Sequence, residues 1–339
     1  MCYNIFVMIL KKTSFLLALV GIFLSCSFVS AQSIPGIQDP LVVSVVPTNP
    51  RANQTTFISI QSYSTDIDRA LITWSVDGKE VASGVGLKEF SVMAGPLGST
   101  KIVDVAVSTV GTGILETAVV IRPADVGLLW EADTYTPPFY QGKALHSYNG
   151  SFKVIALPEL YASNGVKIDS KDLLYTWKKN GEVQGSASGY GRNTFTGSQT
   201  SYLREGEDIS VEVSSPRESI IASNSILVIP TTPEILFYEN SPLYGIVYEK
   251  ALSNSFKLTN EEISIIAEPV FFSVKGRGDS ALTYAWTLNN ATLPDFANKS
   301  EITLRRANNE AGRANVQVTS QHLKKVLQGG KNSLSISYE

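Results

Sequence analysis

Apolar and polar residues alternate with period two through most of this chain. Ile72, Trp74 and Val76 fall on one side of a segment whose other side carries Thr73 and Ser75. Such alternation predicts a strand with one buried face. The same short pattern occurs three times, as Ile72-Thr73-Trp74-Ser75-Val76-Asp77-Gly78, Tyr175-Thr176-Trp177-Lys178-Lys179-Asn180-Gly181 and Tyr284-Ala285-Trp286-Thr287-Leu288-Asn289-Asn290. The tryptophans are 103 and 109 residues apart. Each pattern runs into an Asx-Gly or Asn-Asn turn, and self-similarity at this interval predicts one domain type used three times.

Further matches extend the repeat. Val154-Ile155-Ala156-Leu157-Pro158 parallels Ile265-Ile266-Ala267-Glu268-Pro269, and a Val-x-Val strand follows each tryptophan at Val105–Ser108, Val211–Ser214 and Val316–Thr319. Closing strands are expected at Ala118–Ile121, Ile226–Ile229 and Leu334–Tyr338, preceded by turns at Gly111 with Gly113, Ser214-Ser215-Pro216 and Gly329-Gly330. In the first repeat the other strand candidates are Leu41–Val46, Thr56–Gln61, Leu71–Val76, Lys88–Val92 and Ile102–Ser108. The units are expected at 41–123, 124–232 and 233–339, after a short tether over 32–40. With 25 Gly and 15 Pro spread along the chain, long helices are not expected.

Short strands, an aromatic on the third of them and closely spaced turns describe an all-β immunoglobulin-like sandwich, repeated three times. Through Tyr175-x-Trp177-x-x-Asn180-Gly181 above all, residues 41–339 resemble the tandem Ig-like and PKD-like domains of bacterial surface proteins. Val76-Asp77-Gly78 keeps only part of the PKD signature, and the antibody cysteine pair is missing, so Ig-like is the broader fit. The resemblance implies an adhesin, a stalk or an envelope component.

The N-terminus predicts an export signal over residues 1–31. Lys11 and Lys12 precede an apolar core from Phe15 to Leu24, and Val29-Ser30-Ala31 suits cleavage before Gln32. Initiation at Met8 rather than Met1 gives a more ordinary leader. An alternative is lipidation at Cys26, which would attach the protein to a membrane. Cys2 and Cys26 are the two cysteines, so cleavage after Ala31 leaves neither disulfide nor thiol chemistry. Loss of the two leader lysines takes the formal net charge from −3 to −5. Mild acidity without a basic run argues against nucleic acid as a partner.

Trp74, Trp177 and Trp286 are expected to be structural core, each beside apolar residues on its own strand face; sugar-stacking platforms are the competing reading. Trp130, Tyr135, Phe139, Tyr140, Phe237, Tyr238 and Tyr244 open the second and third units and are expected to pack between domains. A ligand groove is the alternative there. The loop Gln321–Gln328, with His322, Lys324 and Lys325, is longer than its counterparts, has helix-like spacing and is a candidate contact surface on the terminal unit. Asp66 and Asp68, with Asp77 and Asp104, are too few and too scattered to predict a calcium site. His146 and His322 are 176 residues apart and nucleophile motifs are lacking, so neither catalysis nor a cofactor is expected.

The expectation is a non-enzymatic rod of Ig-like domains, secreted or in the cell envelope, that binds a protein or polysaccharide at the cell surface. The alternative is a structural part of a pilus, surface layer or secretion assembly, using strand edges to assemble. An uncovered strand edge would favour the second.

Overall fold

The computed structural model describes residues 41–339 apart from 110–112, 200–204 and 307–310. The leader expected over 1–31 with Cys2, Met8 and Cys26, the tether expected over 32–40, and Gly111 lie outside the described residues. The first part of the chain forms β1 (Val42–Val46), β2 (Thr55–Gln61), β3 (Leu71–Val76), β4 (Lys79–Val85), β5 (Glu89–Met93), β6 (Lys101–Thr109) and β7 (Gly113–Ile121). Next come β8 (Asp125–Ala132), β9 (Ser151–Glu159), β10 (Leu174–Lys179), β11 (Glu182–Val183), β12 (Gly189–Tyr190), β13 (Thr194–Ser198), β14 (Glu207–Ser215) and β15 (Ile220–Val228). The last part holds β16 (Glu234–Ser241), β17 (Gly245–Ile246), β18 (Ser255–Leu258), β19 (Glu262–Val270), β20 (Leu282–Leu288), β21 (Ala291–Thr292), β22 (Glu301–Arg305), β23 (Gly312–His322) and β24 (Gly329–Tyr338).

These strands make three pairs of facing sheets. One sheet of each pair is β1-β2-β5, β8-β9-β13 or β17-β16-β19-β22; its mate is β4-β3-β6-β7, β11-β10-β14-β15 or β18-β24-β23-β20-β21. A separate buried apolar cluster fills each pair, around Trp74, Trp177 and Trp286 respectively. The protein is thus all-β, a tandem series of immunoglobulin-like sandwiches.

The three tryptophan strands are built alike down to single bonds. All three indoles are fully buried, and their N–H groups donate to the carbonyls of Leu87, Arg192 and Lys299 at 2.8, 2.8 and 2.7 Å. Each strand ends in two residues of positive φ, at +51° and +78° for Asp77-Gly78, +53° and +84° for Asn180-Gly181, and +49° and +67° for Asn289-Asn290. Such a turn suits the twist of a hairpin. The Asx oxygen then accepts the backbone N–H of Ile102, Asp208 or Asn315 at 2.9, 3.0 and 2.8 Å. Asp77 is therefore a turn residue that ties two strands together.

Several expected boundaries differ. The closing strands β7, β15 and β24 begin earlier than apolar alternation predicts, and Gly329-Gly330 belong to β24 instead of a turn. Trp286 stands opposite Val318 as Trp74 does Val105, so the third Val-x-Val match is displaced by two residues on the same face. Phe90 and Phe195 stack on the first two tryptophans from β5 and β13, at 5.3 and 5.7 Å. In the third sandwich that ring is Phe237, from β16, 5.8 Å from Trp286. Phe237 is thus a core residue, not an interdomain one.

Candidate functional site

Between the second and third sandwiches the chain after β8 crosses onto the outer face of β19. Tyr135 pairs there by its main chain, donating to Phe272 O and accepting from Phe271 N, both at 2.8 Å. Its side chain donates to the Glu268 carboxylate. Glu268 has no exposed surface; its other oxygen accepts from Arg277 Nη1 at 3.2 Å, and the same nitrogen donates to the Tyr248 hydroxyl at 3.1 Å. Both carboxylate oxygens are therefore satisfied, which is what a buried charge requires. Burial first, and the Glu268 carboxylate second, hold the Tyr135 phenol well above its ordinary pKa, so it stays a donor. Burial likewise raises the Tyr238 and Tyr248 phenols.

A second group of bonds closes the junction on its other side. Gln328 donates to Tyr148 O at 2.7 Å and to Ser273 Oγ at 2.9 Å, and accepts from Ser273 N at 2.9 Å. The Gln321–Gln328 loop therefore faces the second sandwich, not the free end of the third, and it contains no helix. Its curvature comes from His322, which is buried and whose Nδ1 accepts from Lys324 N and Lys325 N at 3.1 and 3.2 Å. His322 is thus a loop cap, not a contact residue. Lys324 is exposed, whereas Lys325 is partly covered and burial lowers its pKa.

The expected interdomain aromatics separate into three groups. Trp130 packs on the core of its own sandwich and carries Lys143 Nζ 3.2 Å above its ring, which corrects its assignment as a junction residue. Tyr135 and Tyr140 do bridge the two sandwiches, Tyr140 through an edge contact with Phe271 at 5.8 Å. Phe139 and Tyr244 stand out in solvent, 87% and 84% exposed, so they are display residues instead of packing ones. Phe139 nevertheless reaches across the junction, 6.5 Å from Tyr248, which itself lies 5.2 Å from Tyr238.

Phe139 and Phe271 share a second feature. Both have a φ of +63°, and they are the two aromatic residues with positive φ among the described residues. A bulky side chain in that region is strained, by about 1–3 kcal/mol, and persists where its surroundings over-determine it. Here Pro137 and Pro138 restrict the approach, and Tyr140 N donates to Pro137 O at 3.2 Å to close the turn. The result is an outward-facing ring next to Tyr248, which in turn bonds Arg277 of the Arg277–Glu268 pair. Sequence reasoning missed Glu268, Arg277, Phe271 and Gln328. A signal for Glu268 was present: Ile265-Ile266-Ala267-Glu268-Pro269-Val270 breaks alternation and is buried on both faces.

Replacing Tyr135 by phenylalanine is expected to lower stability by about 2 kcal/mol, the worth of a hydrogen bond to a carboxylate. Hydrogen exchange of the Phe271 and Phe272 amides in the variant checks this; unchanged protection and stability would show that the bond does not hold the junction.

Asp66 and Asp68 are engaged locally, Asp68 with Lys88 at 2.6 Å and Asp66 with Asp68 N at 3.1 Å. Among the described residues no group of three His, Cys, Asp or Glu side chains could hold a metal ion. What the fold and junction define is a tandem β-sandwich protein with an aromatic surface. No family model matches the chain, and no curated protein does. Solved structures with tandem sandwiches are similar to it. Three N-terminal domains of the bacteriophage RB49 outer capsid protein Hoc are 13% identical over 88% of this chain and 98% of that one, with a TM-score of 0.26. The central fibronectin-III array of RIM-binding protein is 12% identical over 87% and 95%, at 0.28. A Bacteroides ovatus protein of a mixed-linkage glucan utilization locus, SGBP-B, solved with a mixed-linkage heptasaccharide, is 15% identical over 88% and 70%, at 0.21.

Proposed function

We propose that this protein is a non-enzymatic adhesion or binding module, exported to the cell envelope or beyond, whose contact surface is the aromatic face of the junction between the second and third sandwiches. One observation carries the reading: Phe139, almost fully exposed, is fixed in a backbone conformation that costs free energy. An ordinary loop relaxes such a ring or replaces it. With its backbone already set, the residue presents apolar area at a reduced cost in main-chain conformational entropy on binding. Tyr244 and Leu243, 84% and 85% exposed at the tip of the β16–β17 hairpin, add further apolar surface on the third sandwich. A polysaccharide is the partner that fits best, because sugar rings offer flat C–H faces to aromatics and hydroxyls to groups such as Arg277 and Tyr248.

Locked junctions support a stiff display. At the first one, Arg122 Nη1 meets Glu218 Oε2 at 2.8 Å, its other terminal nitrogen donates to Glu218 O, and Ala124 N donates to Pro50 O at 3.2 Å. Affinity electrophoresis of the full chain through gels of neutral polysaccharides, mixed-linkage glucan among them, tests the reading. Retardation by at least one polymer is expected, weakened about two- to tenfold in Phe139→Ala, since an aromatic contact is worth roughly 0.5–1.5 kcal/mol. If the variant is retarded as strongly as the natural chain, or if no polymer retards either, the junction is not a polysaccharide site.

A further inference from the structure

The second and third sandwiches close a gap that the first leaves open. In β15, Asn224 stands opposite Val211, the partner of Trp177, and its Nδ2 donates to Val126 O of β8 at 2.8 Å. In β24, Asn332 stands opposite Val318, the partner of Trp286, and donates to Ile235 O of β16 at 2.8 Å. Each asparagine ties the last strand of one sheet to the first strand of the other. The outer edge of β24 is further covered by β18, paired in parallel from Ser255 to Leu258. The equivalent residue of the first sandwich is Thr117, opposite Val105, the partner of Trp74. Its side chain is too short for the same reach, and among the described residues no strand pairs with the outer edge of β7.

The register says which groups that edge presents. Asp77 N donates to Ile102 O, and Ile102 N to the Asp77 carboxylate, so Ile102 faces β3. Lys101, Val103, Val105 and Val107 therefore face β7, bonding Ile121, Val119, Thr117 and Leu115. That leaves the N–H and C=O groups of Ile114, Glu116, Ala118 and Val120 pointing outward. The strand is nine residues long, without proline or bulge. By contrast, β4 carries a register shift against β3, and β5, β13 and β22 are five residues each. A long, regular, open edge is a template for another strand.

We infer that the outer edge of β7 takes an extended peptide segment of a partner protein, apolar at its ends and basic in its middle. Ile114 and Val120 are 64% and 55% exposed at the two ends of the strand. Glu116 lies between them, and Asp104 lies beside Ala118 on the same outward face. Among the described residues neither carboxylate has an ion-pair partner. At the junction end a pocket of about 150 Å³ with a mixed lining, Val45, Val120 and Ile220 beside Thr48, Asn49 and Arg122, lies against the strand and has room for one side chain of the incoming segment. Main-chain bonds along an edge supply affinity, and pockets for alternate side chains supply specificity. A second copy of β7, paired antiparallel about Thr117, would set Glu116 next to the Ala118–Asp104 pair of its mate. The Glu116 and Asp104 carboxylates are then two strand spacings apart, roughly 10 Å, and repel without gaining a partner, so a basic segment is the better occupant.

The inference is independent of the aromatic junction. Its test uses the full chain and a synthetic peptide of roughly seven residues alternating threonine with isoleucine, lysine and valine, plus a twin with glutamate for lysine. Hydrogen exchange is expected to slow at the amides of Ile114, Glu116, Ala118 and Val120 when the lysine peptide is added. That peptide is expected to bind about tenfold tighter than its twin, and Glu116→Lys to reverse the order. Ala118→Pro removes one outward donor, leaves the bonds to β6 in place, and is expected to abolish peptide protection. Exchange unaltered by peptide at these four amides, or equal binding of both peptides, overturns the inference. So does protection that rises with protein concentration alone, which assigns the edge to a second copy.

Discussion

Trp177→Ala is expected to destabilise the second sandwich by about 3–5 kcal/mol while the first and third keep their stability. The indole has no exposed surface, stacks on Phe195 at 5.7 Å, and donates to Arg192 O at 2.8 Å. Alanine removes the packing and leaves that carbonyl without its donor, so a cavity and an unmet polar group arise together. A loss of this size is a large fraction of the roughly 5–15 kcal/mol that holds an ordinary domain together. The damage is expected to stay local because the three apolar clusters share no residue. Hydrogen exchange read by peptide mass is the measurement, since fluorescence loses its own probe in this variant. Protection should fall over β9, β10 and β14 and persist over β3, β6, β20 and β23. Simultaneous loss in all three sandwiches would show that they fold as one cooperative block.

How far the chain could be read beforehand depended on what each residue answers to. The tryptophan strands were legible because burial on one face, a strand period and an Asx turn all act within seven residues of sequence. Their short neighbours were not: β4 has seven residues, while β11 and β21 have two each, and their length depends on how the next loop returns. Closing strands were read as too short because Ser223-Asn224-Ser225 and Lys331-Asn332-Ser333 look like loop chemistry. In the structure the asparagine in each is the residue that reaches the opposite sheet. Phe237 was misread because an aromatic near a junction and an aromatic in a core have the same local sequence. What separates them is whether β16 or β22 supplies the ring over Trp286, a choice made across 49 residues. Glu268 marks the opposite failure. At the same register in the second sandwich stands Leu157, half exposed, whereas the Glu268 carboxylate is engaged by Tyr135 from another unit and by Arg277.

Acid is expected to weaken the second sandwich through His146, and substitution of that one residue to remove its share of the effect. His146 is fully buried, edge-on to Phe152 at 5.0 Å, and among the described residues neither ring nitrogen has a hydrogen-bond partner. Burial is the main cause that lowers its pKa from 6.5 to about 4; the Glu207 charge opposes this, and Lys179 and Lys325 reinforce it. Above pH 6.5 the imidazole is neutral in the folded and unfolded chains alike, and its contribution to stability is complete. Between 6.5 and about 4 the unfolded chain takes up a proton that the folded chain refuses, so stability falls as pH falls. Below about 4 both forms are protonated and this slope ends. The full difference corresponds to about 3 kcal/mol. His322 has a pKa lowered by burial too, and so bends the curve in the same direction. Carboxylates titrate in the same window, so the informative quantity is the difference between the natural chain and His146→Leu, followed by denaturant unfolding across that range. Leucine keeps an apolar side chain against Phe152 and has nothing to protonate, and its curve should be flatter by that amount. Parallel curves for the two proteins would mean that the imidazole finds a partner for its proton without unfolding, and that the site beside Ser147 and Gly150 opens to water more readily than its burial implies.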